Sequence, residues 1–172
     1  MLDLLLNRRS IRKYKDVEVE KDKIDLILKS ALTSPSGRNI RPWELIVVTN
    51  KEVLFKLGQS RGAVSKQLAG AALAIVIVAD PSLTDIWIED SSILSTIIQL
   101  TSQSLDLGSC WVQVRERKDS NGISVENTVK DILNIPTDFR VESMIAIGYP
   151  DEEKEPYNED DLPFDKVHYN TY

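Results

Sequence analysis

The chain has 172 residues, of which 42% are hydrophobic, with one cysteine, one histidine and a formal net charge of −6. That length holds one domain with a real core and is short for two, so residues 1–172 are read as a single domain. A lone thiol excludes an internal disulfide and supplies too few ligands for a zinc or iron–sulfur centre, so no metal is expected.

The longest apolar run, residues 71–79, falls well short of the roughly 20 residues that a membrane helix needs. The opening MLDLLLNRRS lacks the small-residue cleavage site of a secretion signal. A cytoplasmic protein with no membrane partner is expected. The charge is uneven: residues 151–172 hold eight acids and two lysines, whereas residues 1–150 hold 19 acids and 19 bases. The acidity is thus assigned to a C-terminal extension, 151–172.

In chain order, Leu2, Leu4, Leu5 and Leu6 predict a short helix that runs into RRSIRKYK, residues 8–15, with five bases in eight positions. Such a field suits a phosphate and is too small for a nucleic-acid surface. Ile24, Ile27, Leu28, Ala31 and Leu32 repeat at helical spacing before Pro35. The loop SPSGRNIRP, residues 34–42, then feeds WELIVVT, whose β-branched run predicts a buried strand. Residues 51–68 predict one or two polar helices, and LAIVIVAD predicts a central strand.

From Thr84 to Leu107 the spacing predicts a long helix, with Thr84 or Asp85 as N-cap and Gly108 just past its end. Its apolar stripe is Ile86, Ile93, Ile97, Leu100 and Leu107, and its sides carry Ser91, Ser92, Ser95, Thr96, Ser102 and Ser104. These small side chains predict a helix buried at a subunit contact. SCWVQVR and VESMIAIGYP predict two further strands with the helix VENTVKDILNI between them, giving an α+β domain of two or three layers.

Arg8, Arg9 and Arg12 offer three guanidinium forks, and Ser10 a hydroxyl, able to grip a phosphate and reach a carbonyl-rich ring. Alone, the cluster equally suits a solvated helix end. In the loop that follows, two prolines stiffen the backbone, Gly37 permits close approach, and Asn39 brings a donor and an acceptor for a ring edge. His168 lies in the acidic tail, and Cys110 lies in an apolar strand where thiols pack more often than they attack. Neither is read as a catalyst.

RRSIRKY, SPSGRNIRPW, Asp90 in the long helix, LDLGSCW and AIGYP, spread in that order over residues 8–150, together resemble the nitroreductase-like flavoproteins. The resemblance implies a nitroreductase-like fold, a central, mostly antiparallel sheet flanked by helices, in an intertwined homodimer. It implies an FMN-dependent oxidoreductase that passes electrons from NADH or NADPH to nitroaromatics, quinones or enones by ping-pong hydride transfer. Flavin N5 then carries the chemistry, and no catalytic side chain is expected. It also implies that Arg8, Arg9, Ser10 and Arg12 contact the flavin phosphate, ribityl chain and pyrimidine edge. Pro35, Ser36, Gly37 and Asn39 are implied to reach the flavin of the other subunit, and Gly108, Ser109 and Cys110 to pass near its ring. No GxGxxG follows any strand, which agrees with FMN over FAD.

Three departures from the family pattern stand out. Arg41 replaces the usual glutamine before Pro-Trp, and its fixed charge suits a reduced, anionic flavin or an acidic substrate. Residues 156–164, PYNEDDLPF, replace a basic pair at the phosphate, so the tail is expected to turn away or to leave Lys154 as the only local cation. Arg115 and Arg117 extend the third strand, either guarding a site entrance or as a solvated strand end. Arg41 and the acidic tail also support a reading from another class, a non-turnover flavin-binding or redox-responsive module.

Overall fold

Strand β2, Leu73–Ala79, carries seven apolar residues, and every one is buried because the strand is paired on both sides and covered on both faces. A computed structural model describing residues 1–172 places it second in a four-stranded sheet. The order is β1 (Trp43–Val48), β2, β4 (Arg140–Gly148) and β3 (Gly108–Gln113). All neighbours run antiparallel, as the α+β reading requires. β1 differs from its expected burial. It is an edge strand, so Glu44 and Val47 are exposed and only Trp43 and Val48 are buried.

Alternation along β2 divides the core in two, and the domain has three layers. Ala74, Val76 and Val78 face α3 (Lys51–Gln59), the single turn α4 (Gln67–Gly70) and α6 (Val125–Leu133), packing with Leu54, Leu57, Leu68 and Val129. Leu73, Ile75 and Ile77 face α2 (Lys21–Leu32) and α5 (Trp87–Ser104), packing with Ile27, Ala31, Leu94 and Ile98. Each such aliphatic side chain contributes about 1.5–3 kcal/mol by leaving water, far more than any single cap. The caps set the ends. Asn50 accepts from Glu52 and Val53 N–H to start α3, Ser124 accepts from Asn127 N–H to start α6, and left-handed Asn134 stops α6.

The long helix corrects two expectations. It is shorter than Thr84–Leu107 because Thr84 Oγ1 accepts from Ile86 N–H in a preceding turn, while Asp106, at φ 61°, breaks the chain before Gly108, which is already the first residue of β3. Its buried face is also not the expected stripe. Trp87, Asp90, Ser91, Leu94, Ser95, Ile98, Gln99 and Ser102 are buried, whereas Ile86 and Ile93 are exposed and Ile97 and Leu100 half-buried. Ser91, Ser95 and Ser102 therefore serve this chain's own sheet, while Ser92 is half-buried and Thr96 and Ser104 face outward. Ser95 and Ser102 hydroxyls return to the carbonyls of Ser91 and Ile98, and Ser95 Oγ lies 3.2 Å from Ser143 Oγ of β4. Small side chains let the helix axis come close to the sheet.

A register shift in β4 opposite Ile77 and Val78 inserts Glu142 as an extra residue. Its side chain is buried, Oε1 takes a long 3.4 Å contact from Gln113, and Oε2 has no partner. Burial pushes this carboxyl above the usual carboxylate range.

Two outcomes follow. Ser95→Glu places an unpaired carboxylate between α5 and β4 at a cost of several kcal/mol, so the chain itself should lose its fold. Denaturant titration of far-ultraviolet circular dichroism checks this; a folded variant that is merely monomeric would return the serine face to a subunit contact. For Glu142, the native carboxyl gives up its proton at higher pH than the unfolded chain does, so stability falls as pH rises above the ordinary carboxylate range. Glu142→Gln cannot ionise, and its urea midpoint should gain on the wild type between pH 5 and pH 8. A constant difference across that interval would count against the buried acid.

Candidate active site

The basic segment is fixed by backbone contacts at the start of β3. Ser10 bridges Ser109, Ile11 N–H donates to Ser109 carbonyl at 3.0 Å, and Tyr14 Oη donates to Ile11 carbonyl at 2.5 Å. Gly108 is required by this approach, since a Cβ there would sit 2.7 Å from Ile11 Cβ. Arg8 is half-buried with no hydrogen-bond partner, and Arg12 is exposed with only a 3.4 Å contact to Ser10 carbonyl. These two forks are free to receive an anion.

Arg9 is engaged by the tail. Its guanidinium donates to Glu155 carbonyl and lies over the Tyr157 ring at 4.8 Å. Asp151 N–H donates to Lys13 carbonyl and Tyr157 N–H to Leu6 carbonyl, so residues 151–157 run back across the basic segment before the rest of the tail leaves. Glu152 Oε1 accepts the successive N–H groups of Arg12 and Lys13, at 2.5 and 3.2 Å, and Oε2 pairs with Lys154 at 3.0 Å. The Arg12 N–H in particular holds this carboxyl below its usual range. A cavity of about 250 Å³ opens beside it, lined by Asn7, Arg9, Gln103, Gly108, Glu152 and Lys154 among others. The acids from Glu159 onward lie beyond the crossing, and Lys154 is the tail's cation at the cavity, beside Arg9.

The second predicted segment is a strained loop. Arg38, Asn39 and Arg41 have φ of 52°, 58° and 54°. Left-handed backbone costs on the order of 1–3 kcal/mol for a residue other than glycine, so a single hydrogen bond of about 1.5–3 kcal/mol to a charged acceptor does not hold three. The loop uses several. Asp90 Oδ1 accepts Gly37 N–H at 2.9 Å, Ser36 Oγ accepts Arg41 N–H at 3.0 Å, and Asn39 Oδ1 accepts Arg41 Nε at 3.0 Å. Asp90 is buried, its Oδ2 unpartnered, and a side chain at Gly37 would collide with Ile86. Pro35 and Asn39 are exposed beside it.

The structure does not bring these two segments together. The loop leans on Asp90 at the N-terminal end of α5, and the basic segment's cavity touches Gln103 near its C-terminal end. Thirteen residues of helix separate those positions by about 20 Å. They also sit at opposite edges of the sheet, ahead of β1 and ahead of β3.

Of the third predicted group, Gly108 and Ser109 hold the basic segment through backbone. The Cys110 side chain points into the core beneath α3, α4 and α6, where burial pushes its thiol up. Arg115 pairs with Glu116 at 2.7 Å. Sequence reasoning missed Glu152, Tyr157 and Tyr14. The contiguous acids after Pro150 were read as bulk charge, and nothing local distinguishes the one that turns inward.

Comparison with known proteins gives one family. The model described as the Nitroreductase family matches residues 5–91, which include the basic segment, the loop and Asp90. A provisionally named NADH dehydrogenase/NAD(P)H nitroreductase of Archaeoglobus fulgidus is 35% identical over 172 residues, covering 97% of this chain and 95% of that protein. A like-named protein of Methanothermobacter thermautotrophicus is 38% identical, over 98% of this chain and 85% of that one. The solved structure of an FMN-dependent nitroreductase from Clostridium difficile is 51% identical and superposes over the whole of both chains with a TM-score of 0.97.

Removing the Asp90 acceptor should loosen the loop. Asp90→Ala is expected to cost about 1–3 kcal/mol, to speed hydrogen exchange at Gly37, and to expose the bond after Arg38 to trypsin. Unchanged exchange and cleavage would show that the loop holds its shape without α5.

Proposed function

Because this chain belongs to the nitroreductase family, we propose that it is an FMN-dependent oxidoreductase, taking electrons from NADH or NADPH and reducing small acceptors such as nitroaromatics, quinones or enones in two alternating half-reactions. The observation that carries the reading is the separation of the two polar segments along α5. Each is built and held in place, yet neither makes a site alone. In a two-fold dimer every contact is made twice in opposite sense. With α5 antiparallel to its copy, the Asp90 end of one helix lies beside the Gln103 end of the other, and each loop meets the partner's basic segment.

The surface supports such a pairing. Ile86 at the N-cap of α5 and Ile93 on α5 are exposed apolar residues in the single chain, as are Leu2 and Leu5 on α1 (Leu2–Asn7), which packs on α5. The outer edge of β1 has no strand beside it. No helix of the chain is long and apolar enough to cross a membrane, so this face is not explained as a membrane span.

The residues fit FMN by their donor chemistry. Arg8, Arg12 and Ser10 supply guanidinium forks and a hydroxyl for the phosphate and the pyrimidine edge, with Lys154 as an added cation at the cavity. Arg9, already committed to Glu155 and Tyr157, positions the tail and contributes charge from the cavity wall. Pro35, Ser36, Gly37 and Asn39 face the ring from the second subunit, while Gly108 and Ser109 keep the basic segment against β3. When bound, FMN supplies a two-electron carrier whose N5 exchanges hydride with the nicotinamide donor. The chain's own contribution is position and charge. Arg12 holds positive charge where the reduced ring carries negative charge, and the paired subunits keep water away from the transferred hydride.

The purified protein should be yellow, should release FMN and not FAD on denaturation, and should bleach with NADH or NADPH. Replacing Arg8 and Arg12 together with alanine should weaken FMN binding by about 3 kcal/mol or more if both make charge-assisted contacts, read by flavin fluorescence titration. Flavin retained undiminished in that variant would refute the assignment of the forks. Bound flavin inert to both donors would favour a binding module over an enzyme.

A further inference from the structure

Residues 34–42 hold two arginines and no acid. Neither Arg38 nor Arg41 takes part in any of the chain's ion pairs, although acids outnumber bases overall. The carboxylate packed against the loop, Asp90, is buried and turned to Gly37 N–H, so it leaves both guanidiniums uncompensated.

Arg41 is also held. Its backbone, in the left-handed region at φ 54°, is pinned by Ser36 Oγ on its N–H and followed by buried Pro42. Its Nε donates to Asn39 Oδ1, which orients the guanidinium while both terminal nitrogens take no partner. A free surface arginine samples many rotamers, but this one is presented with its two-nitrogen end outward. That end matches a carboxylate bidentately. The same loop carries the half-buried Ile40, next to Arg41 in the chain, and the exposed Pro35, and Ile86 packs against its Gly37, so apolar side chains accompany the fork.

We propose that Arg41 makes this protein selective for small aromatic acceptors that carry a carboxylate, gripping that group with its two terminal nitrogens. The inference rests on the reading of residues 35–41 as one half of a shared flavin site. Asn39 is the positioning residue for the grip. Since one fork and not a broad basic surface does the work, a neutral ring of the same size is the competitor to be discriminated against.

The test uses the flavin-loaded dimer with 4-nitrobenzoate and 4-nitrobenzamide, which differ in charge and scarcely in shape. The kcat/KM ratio should favour the carboxylate by tenfold or more at low ionic strength, mostly through KM, and should shrink as salt is added. Arg41→Gln should reduce that ratio at least tenfold, and Arg41→Lys, which keeps charge without the fork, should fall between. As a readout apart from turnover, the unreactive pair benzoate and benzamide, followed by calorimetry, should show the same order of affinity in the wild type and lose it in Arg41→Gln. Equal kcat/KM for the two nitro compounds in an active enzyme, or a ratio unmoved by Arg41→Gln, overturns the inference and leaves the flavoenzyme reading intact. Lost flavin in Arg41→Gln with the affinity order unchanged would instead make Arg41 a cofactor ligand. No turnover with either compound, and no flavin bound, would remove the shared-site reading and this inference with it.

Discussion

The close approach of α5 to the sheet, made possible by Ser91, Ser95 and Ser102 where larger side chains would stand off, governs the rest of the molecule. It buries Leu94 and Ile98 against Ile75 and Ile77 and so closes one of the two cores. It also leaves the helix as a rigid rod with a polar segment anchored at either end, through Asp90 to the loop and near Gln103 to the basic cavity. A rod fixes distance. The two segments cannot approach one another by loop motion, since each is tied to the helix or to a strand that packs on it. Turning Ser91, Ser95 and Ser102 inward has a second effect: Ile93 and, at the N-cap, Ile86 go outward. The apolar residues that a helix of this pattern ordinarily buries, Ile86 and Ile93, are left for another surface to cover.

Charge in this chain is handled by position more than by balance. The acidic tail begins by crossing the most basic stretch, where Glu152 takes the Arg12 and Lys13 amides and Lys154 in one cluster. That carboxylate satisfies backbone donors and neutralises none of the free forks, so Arg8 and Arg12 stay available while the segment beneath them is made rigid. On the far side of α5 the loop's arginines have no such neighbour. The same chain thus presents paired charge where the tail crosses it and unpaired charge on the two segments proposed to meet a ligand. Exposed ion pairs such as Lys21 with Asp25 contribute little either way.

Four buried polar atoms have no partner: Asp90 Oδ2 and Ser91 Oγ in the first turns of α5, Trp43 Nε1 on β1, and Glu142 Oε2 on β4. Each costs about 1–3 kcal/mol when dry. The start of α5 thus carries polar atoms left dry, whereas further along the helix Leu94 and Ile98 pack with Leu73, Ile75 and Ile147.

Much of this protein was legible in its sequence. The unbroken apolar run of β2 reads as a strand buried on both faces, and the helical spacing of Ile24, Ile27, Leu28, Ala31 and Leu32 marks α2 without reference to anything distant. The order of five motifs along the chain named the family, because residue identity at a ligand is a matter of local chemistry. What the sequence alone left open were quantities that depend on contacts between distant residues. The face that α5 buries was misjudged, since a stripe of isoleucines scores as core wherever the serines stand, and only the Ser95–Ser143 contact reveals which side meets the sheet. Which acid of the tail turns inward, and how far apart the two polar segments lie, were likewise decided by tertiary packing. Spacing along a chain fixes the roughly 20 Å of helix between Asp90 and Gln103, whereas which segment is anchored at each end, the loop at Asp90 and the basic segment near Gln103, is set only once the helix is laid across the sheet.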